Sequence, residues 1–131
     1  MPKEIVLEFI KVLNNADIES MLTFISRDHV FIDSLGNKIF GKENMENAWN
    51  GYFHIFPDYK IDVKEIFEHN NTIIILGKAS GTYKNIKTDD DKYYWRIPVA
   101  IKVLVDGKKI LHWQVFADNS PVIDIIKAMK N

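Results

Sequence analysis

Apolar and polar residues alternate on both sides of Asp106-Gly107, and this pattern predicts a β-hairpin from Tyr93 to Asp118. A two-residue loop would place Val105 opposite Lys108 and fix the register of the pairs beyond it. The pairs predicted for one face are Val103 with Ile110, Ile101 with His112, Val99 with Gln114, and Ile97 with Phe116. This face resembles the wall of a pocket, because it is mostly apolar with two polar side chains. A one-residue slip would exchange the two faces of the hairpin.

The opposite face of the predicted hairpin combines lysines with large apolar side chains. A monomer rarely exposes so much contiguous apolar surface, so this face predicts a symmetric homodimer formed through the sheet. The apolar residues assigned to the interface are Leu104, Leu111, Trp113 and Val115.

Three stretches before the hairpin have apolar residues at helical spacing. The first runs from Lys3 to Asn14, the second is capped by Asp17, and the third follows Gly41 and ends near Pro57. The third is rich in aromatic residues and is expected to cover the sheet. Its apolar positions are Met45, Ala48, Trp49, Tyr52 and Phe53.

Three further strands are predicted. Period-two spacing indicates a short one from Val30 to Asp33 and a longer one from Tyr59 to Lys64. The continuous apolar run from Ile73 to Leu76 indicates a strand from Thr72 to Tyr83 that is covered on both faces. Pro98 lacks a backbone donor, which indicates an edge position or a bulge within the hairpin. Ser120-Pro121 begins a short C-terminal helix. The order of elements predicts an α+β domain with helices on one face of a curved, mostly antiparallel sheet.

Composition narrows the class of protein further. The 131 residues are 47% hydrophobic, which suits one buried core and a single domain spanning residues 1–131. The net charge of -1, with both signs interspersed, predicts neither nucleic-acid nor membrane binding. Without cysteine the chain has no disulfide, thiolate metal site or cysteine nucleophile. No apolar run approaches the roughly 20 residues of a membrane span, and a soluble, cytoplasmic protein is expected.

Four short motifs and the order of elements resemble the NTF2-like superfamily, and its SnoaL-like domain most closely. The motifs are Leu13 to Asp17, Asp33 to Gly36, Gly41 before the aromatic helix, and Trp113-x-Val115-x-Ala117-Asp118. The resemblance covers almost the whole chain and implies a cone, in which a curved sheet and three N-terminal helices enclose a pocket. The superfamily includes polyketide cyclases, ketosteroid isomerases, epoxide hydrolases, dehydratases and non-catalytic binding or dimerising modules. The fold is therefore implied more strongly than any reaction.

The ketosteroid isomerases of that superfamily carry a catalytic aspartate before a loop of the form Asp-Pro-Val-Gly. The stretch Asp33-Ser34-Leu35-Gly36 matches that place. The isomerases also use a tyrosine and a second acid, but the equivalent positions here hold Phe9 and Ile101. Steroid isomerase activity is therefore not expected.

Four polar residues are the candidates for a chemical role. Asp33 is the predicted general base, because apolar surroundings raise the pKa of a carboxylate; alternatively, it is a turn residue that binds its own loop amides. His112, with Gln114 beside it, is predicted to move a proton or to donate to a substrate oxygen, and a core histidine is the alternative. Asp118 either pairs with His112 or, as the favoured interpretation, caps the last helix.

The remaining expectations concern the ligand. His29 and His69 are expected near strand ends and exposed to solvent; neither a metal nor a cofactor is expected. We expect a small, largely apolar ligand and, in a catalytic version, isomerisation, cyclisation, dehydration or hydrolysis by side chains alone. A non-catalytic binding or dimerisation module is the alternative. The predicted substrate-binding residues are Phe9, Phe31, Trp49, Tyr52, Phe53, Trp95, Val99, Ile101, Gln114, Phe116 and Asp118, with Ile97 on the same wall.

Overall fold

Residues 1–129, the part of the chain described by the computed structural model, contain four α-helices and six β-strands. In chain order these are α1 Pro2–Asn14, α2 Ile18–Phe24, β1 Ile25–Ile32, β2 Lys38–Phe40, α3 Lys42–Ile55, β3 Lys60–His69, β4 Thr72–Thr82, β5 Tyr94–Asp106, β6 Lys109–Phe116 and α4 Ser120–Met129. A single 3-10 turn, Tyr83–Asn85, follows β4. No helix within residues 1–129 is long and apolar enough to cross a membrane.

The strands form one sheet in the order β2-β1-β6-β5-β4-β3, in which β1 and β6 are parallel and the other neighbours antiparallel. Helix α1 packs across β3, β4 and β6, while α3 packs against β1 and β2. We call the helix-covered side of the sheet its inner face and the opposite side its outer face. The predicted α+β architecture with three N-terminal helices is confirmed. A sixth strand, β2, was not predicted, because three residues are too few to show an alternation.

The helices form where the apolar spacing predicts them, because each buries one stripe against the inner face. Residues Val6, Phe9, Ile10 and Leu13 of α1 are all buried, and they join Ile73 and Ile75 of β4 and Val103 of β5 in one core. Asp17 caps α2 as predicted, since its Oδ1 accepts from the Ser20 amide at 3.2 Å.

The end of α1 is joined to the edge strand β3 through the side chain of Asn14. Its Nδ2 donates to the Ile61 carbonyl oxygen at 3.0 Å, and its Oδ1 accepts from the Ile61 amide at 2.8 Å. Because β3 pairs with β4 on its other side, this amide occupies backbone groups on the free edge of the sheet.

Strand β1 begins earlier than predicted. The sequence placed Ile25 in the apolar stripe of the second helix, but Ile25 is fully buried as the first residue of β1. Its pairing with β6 is irregular, because Ile25 aligns with Ile110 and Val30 already aligns with His112. One residue of β6, Leu111, therefore lies opposite four residues of β1, the last of which is His29.

The predicted register of the hairpin was wrong. The two-residue loop is Gly107-Lys108, one residue later than expected, and this shift places Val105 opposite Ile110. Leu111 is then an extra residue, so Leu104 lies opposite His112. The bulge exchanges the two faces of the rest of β6, as a slip of one residue must.

The observed register changes the predicted face of several hairpin residues. Trp113 pairs with Val103 and Val115 with Ile101, which places both on the inner face instead of at the predicted interface. The residues that move to the outer face are His112, Gln114 and Phe116, opposite Leu104, Lys102 and Ala100. Leu104 and Leu111 remain on the outer face, as predicted.

The long strands bend where β3 and β4 approach closely. The register of β3 shifts between Val63 and Glu65, opposite Gly77. A Cβ atom at Gly77 would lie 2.0 Å from the Asp62 carbonyl oxygen, so this position requires glycine. Of the two alternatives predicted for Pro98, an edge position or a bulge, the structure shows the edge position, because Pro98 pairs regularly with Lys78 of β4 while β6 pairs with β5 only from Ala100 onward.

Candidate functional site

A cavity of about 290 Å³ lies between the inner face of the sheet and helices α1 and α3. Most of the predicted binding residues line it, namely Phe9, Phe31, Trp49, Tyr52, Phe53, Trp95, Ile97 and Val99, together with Asp33. Ile101 is buried but lies outside the cavity lining. All three tryptophans of the chain line the cavity, since Trp113 joins Trp49 and Trp95.

Two groups of aromatic rings form the wall. At one end the Phe9 ring lies 5.2 Å from Trp113 and 6.0 Å from Trp49, measured between centroids. At the other, Tyr59 lies 5.0 Å from Tyr52, edge to face, and 6.0 Å from Trp95. Contacts of this kind hold the rings in fixed orientations, so the cavity has a defined shape before any ligand enters.

His29 is the polar residue of the site that the sequence reasoning missed. It was expected near a strand end and exposed to solvent, but it is 1% exposed and lines the cavity from β1. Its Nδ1 lies 2.9 Å from the Ile110 carbonyl oxygen on β6. The signal was present in the alternation, because His29 lies two residues before Phe31 and four before Asp33 on one face of an extended strand.

The bond to Ile110 fixes the chemical form of the His29 ring. A carbonyl oxygen can only accept, so Nδ1 carries the proton and Nε2 of the neutral ring has a free lone pair. Burial lowers the pKa of His29; the Ile110 carbonyl partly opposes this effect, and a charge on His112 adds to it. His29 is therefore a neutral hydrogen-bond acceptor at neutral pH.

Two tyrosine hydroxyls supply donors at the other end of the cavity. Burial raises the pKa of Tyr59 to about 12, and burial together with the neighbouring Tyr59 raises the pKa of Tyr52 further. Both hydroxyls therefore stay protonated across the physiological range. The indole Nε1 of Trp95 is buried and has no hydrogen-bond partner among residues 1–129.

Asp33 lines the cavity, but its carboxylate also organises its own loop. Oδ1 accepts from the amides of Leu35 and Asn37, both at 2.9 Å, and Oδ2 accepts from the Asn37 side chain at 3.1 Å. These contacts match the alternative interpretation of Asp33 as a turn residue. That Asp33 also acts as a general base stays a prediction.

The other polar candidates lie away from the cavity. His112 and Gln114 are on the outer face and do not meet Asp33 in a common volume, contrary to the sequence-based expectation. Phe116 is 53% exposed on the same outer face. Asp118 is exposed and accepts hydrogen bonds from the Ser120 amide and hydroxyl, as the favoured capping interpretation requires. Within residues 1–129 no cluster of three or more metal-binding side chains forms.

The family model of the SnoaL-like domain matches residues 6–113 of this sequence. The chain belongs to the SnoaL-like domain family. This match spans α1 to the middle of β6 and so includes both aromatic groups and His29. No curated protein shows significant sequence similarity to the chain.

Solved structures confirm the NTF2-like cone fold of this SnoaL-like domain. A protein of Shewanella denitrificans, provisionally named a SnoaL-like polyketide cyclase, has a TM-score of 0.81 at 15% identity, with 97% of each chain covered. A Catenulispora acidiphila protein of ketosteroid isomerase-like fold, solved with trimethylamine, has a TM-score of 0.79 at 16% identity, covering 92% of this chain and 90% of that one. TerC, crystallised with polyporic acid, has a TM-score of 0.77 at 13% identity, covering 96% and 98%. At such identities the likeness establishes the fold and leaves the activity open.

Proposed function

We propose that this SnoaL-like domain binds a small, largely apolar molecule in its inner cavity. The observation that carries the proposal is the cavity itself, about 290 Å³ in volume and walled by aromatic rings with few polar groups. This volume is close to the lower limit of the range of about 300 to 1,000 Å³ that is usual for ligand sites. Two structural relatives were crystallised with small molecules, one with trimethylamine and one with polyporic acid, and this supports small-molecule binding as the function.

The three tryptophans in the cavity wall provide a direct test of binding. Ethylbenzene is the apolar probe, and its binding is measured by calorimetry and by the change in tryptophan emission. Ala48→Phe fills part of the cavity from α3, whereas Asn47→Phe adds the same ring at the neighbouring exposed position. We expect binding to be lost in Ala48→Phe and kept in Asn47→Phe. Equal binding by both variants would place the site elsewhere.

Acid–base catalysis is the second candidate function, and the position of His29 in the cavity wall favours it. A neutral imidazole with a fixed tautomer can accept a proton from a ligand held against Nε2. Asp33 remains the other candidate base, because it lines the same cavity. The predicted catalytic role of His112 is not carried forward, since its side chain is on the outer face.

Deuterium exchange separates the two bases. The ketone 2-tetralone has acidic α-protons, and their exchange in heavy water is followed by NMR with and without the protein. If His29 is the base, His29→Gln abolishes the protein-dependent exchange while Asp33→Asn retains it. The reverse result would identify Asp33, and exchange that no variant changes would favour the non-catalytic binding alternative.

Homodimerisation through the outer face is a further part of the proposal. Leu104, Leu111 and Phe116 lie on this face, and Phe116 is 53% exposed. Exposed apolar area on one face of a sheet is the kind of surface that a second copy of the chain would cover.

A further inference from the structure

His29 presents one chemical function to the cavity, that of a neutral hydrogen-bond acceptor. Its Nδ1–H donates to the Ile110 carbonyl oxygen at 2.9 Å, the one hydrogen bond that the ring makes among residues 1–129, and the side chain lines the cavity. The irregular pairing of β1 with β6 brings the ring to this carbonyl, so the orientation is set by the strand. Nε2 of the neutral ring therefore has a lone pair that can accept a hydrogen bond from a ligand in the cavity.

The rest of the cavity lining has no side chain suited to pair with a charged ligand. No lysine or arginine of residues 1–129 lines the cavity, so a carboxylate or phosphate would find no positive partner. The one carboxylate, Asp33, already accepts three hydrogen bonds from its own loop, so a cation would have to compete with them. Transfer of a charged group into such a wall is unfavourable unless it is paired.

We propose, on the basis of the ligand-binding function above, that the ligand is an uncharged cyclic molecule with a weakly acidic hydroxyl, of the phenol or enol class, which donates to His29 Nε2. The ring of the ligand packs against the aromatic wall, and the hydroxyl of the ligand donates a hydrogen bond to His29. If the proton transfers, the O–H bond breaks and an Nε2–H bond forms. The product is an oxyanion beside an imidazolium whose Nδ1–H still donates to the Ile110 carbonyl oxygen.

Four matched probes test the hydroxyl requirement by calorimetry, namely ethylbenzene, 4-ethylphenol, 4-ethylanisole and 4-ethylbenzoate. We expect 4-ethylphenol to bind roughly five- to tenfold more tightly than 4-ethylanisole, the change produced by one neutral hydrogen bond. We expect 4-ethylbenzoate to bind most weakly, because its charge has no partner. In His29→Leu the phenol and the anisole should bind equally, whereas His69→Leu, at an exposed histidine outside the cavity, should keep the wild-type ratio.

A spectroscopic measurement on the wild-type protein keeps the test independent of whether His29→Leu folds. The long-range ¹H–¹⁵N spectrum of the histidine side chains should show Nδ1 of His29 protonated in the free protein. On addition of 4-ethylphenol, the Nε2 resonance should shift and the Nδ1 resonance should remain that of a protonated nitrogen.

The outcomes distinguish this inference from the function on which it rests. Equal binding of ethylbenzene, the phenol and the anisole would overturn the hydroxyl requirement and leave ligand binding intact. Tightest binding of 4-ethylbenzoate would overturn it too, because His29 would then act as a cation. If none of the four probes binds, both the inference and the proposed binding function are wrong.

Discussion

His29 shows how a single buried residue can decide the chemistry of a site. The residue lies in an irregularly paired stretch of β1. Its ring is hydrogen-bonded to the Ile110 carbonyl oxygen at 2.9 Å instead of to solvent. Periodicity placed Phe31 and Asp33 on the cavity side, and the same alternation would have placed His29 there if the strand had been predicted to begin earlier.

Burial of His29 predicts a loss of stability on acidification. Because burial lowers the pKa of His29 in the folded state, the unfolded chain binds more protons as the pH falls below about 6.5. The free energy of unfolding should therefore decrease over this window, by up to about 1.4 kcal/mol per pH unit, until the folded state is protonated as well. Urea denaturation between pH 7.5 and pH 4.5 measures the slope.

Two histidine variants isolate this contribution. His29→Gln should have a flatter dependence of the unfolding free energy on pH than the wild type over that window. His69→Gln, which removes an exposed histidine, should keep the wild-type dependence. A wild-type slope in His29→Gln would show that the buried ring does not carry the effect.

Alanine substitutions at two glycines test how closely the backbone packs at each position. In Gly77→Ala the new methyl group would lie 2.0 Å from the Asp62 carbonyl oxygen, so we expect a loss of about 2 kcal/mol or more in the free energy of unfolding. Gly51 is inside α3 with nothing within 4 Å of a new Cβ atom, and Gly51→Ala should stabilise the protein by about 0.5 to 1 kcal/mol. Chemical denaturation of both variants checks the opposite signs.

At the scale of elements, the sequence determined the helices well and the strands only in part. A helix buries a wide stripe, so the spacing of Val6, Phe9, Ile10 and Leu13 tolerates an error of one residue at either end. The prediction of a strand does not tolerate such an error, because one extra residue moves every later side chain to the other face. The β-bulge at Leu111 is such a residue, and local sequence has no signal for it since Leu111 and His112 continue an ordinary strand pattern.

The misplaced part of the site follows from that bulge. Trp113 and Val115, assigned to an interface, line the cavity, and His112 and Gln114, assigned to the cavity, are on the outer face. The part of the wall contributed by helices was predicted correctly, as Trp49 and Tyr52 illustrate. On β5, Val99 lines the cavity as predicted, but Ile101 does not. That these residues bind a substrate stays a prediction.

Engineered disulfides can check the register, because the chain has no cysteine of its own. Leu104→Cys with His112→Cys joins residues that lie directly opposite each other, so the pair should oxidise readily to a disulfide. Ile101→Cys with His112→Cys joins the pair expected from sequence, and it should stay reduced because Ile101 lies opposite Val115. Thiol titration under native conditions, with a denatured sample as control, gives the answer.

At the scale of the whole molecule, the proposed dimer can be tested with a substitution at an exposed side chain, which should not disturb folding. Phe116→Asp places a charge on the outer face at a side chain that is 53% exposed, so the monomer should fold while the interface is lost. Leu35→Asp, at a leucine 71% exposed in the loop after β1, is the matched control and should leave the assembly unchanged. Sedimentation at micromolar concentration should show a 15.3 kDa species for Phe116→Asp and a dimer for both the control and the wild type.

The corrected position of Trp113 changes what its substitution would report. Trp113 is 5% exposed and packs 5.2 Å from the Phe9 ring, so Trp113→Asp would bury an unpaired charge and unfold the domain. It is therefore no test of assembly. A wild-type protein that sediments only as a monomer would reject the dimer directly.

The contact between Asn14 and β3 has a consequence for how the protein avoids aggregation. An open sheet edge is a template on which another chain can add a strand, and fibrillar aggregates grow in this way. Here the Asn14 amide imitates such a strand at one point, since it bonds both backbone groups of Ile61 at 2.8 and 3.0 Å. Asn14→Leu would leave that template open, so we expect faster growth of thioflavin-positive aggregates under shaking, while Asn15→Leu, at the exposed neighbouring position, should aggregate at the wild-type rate.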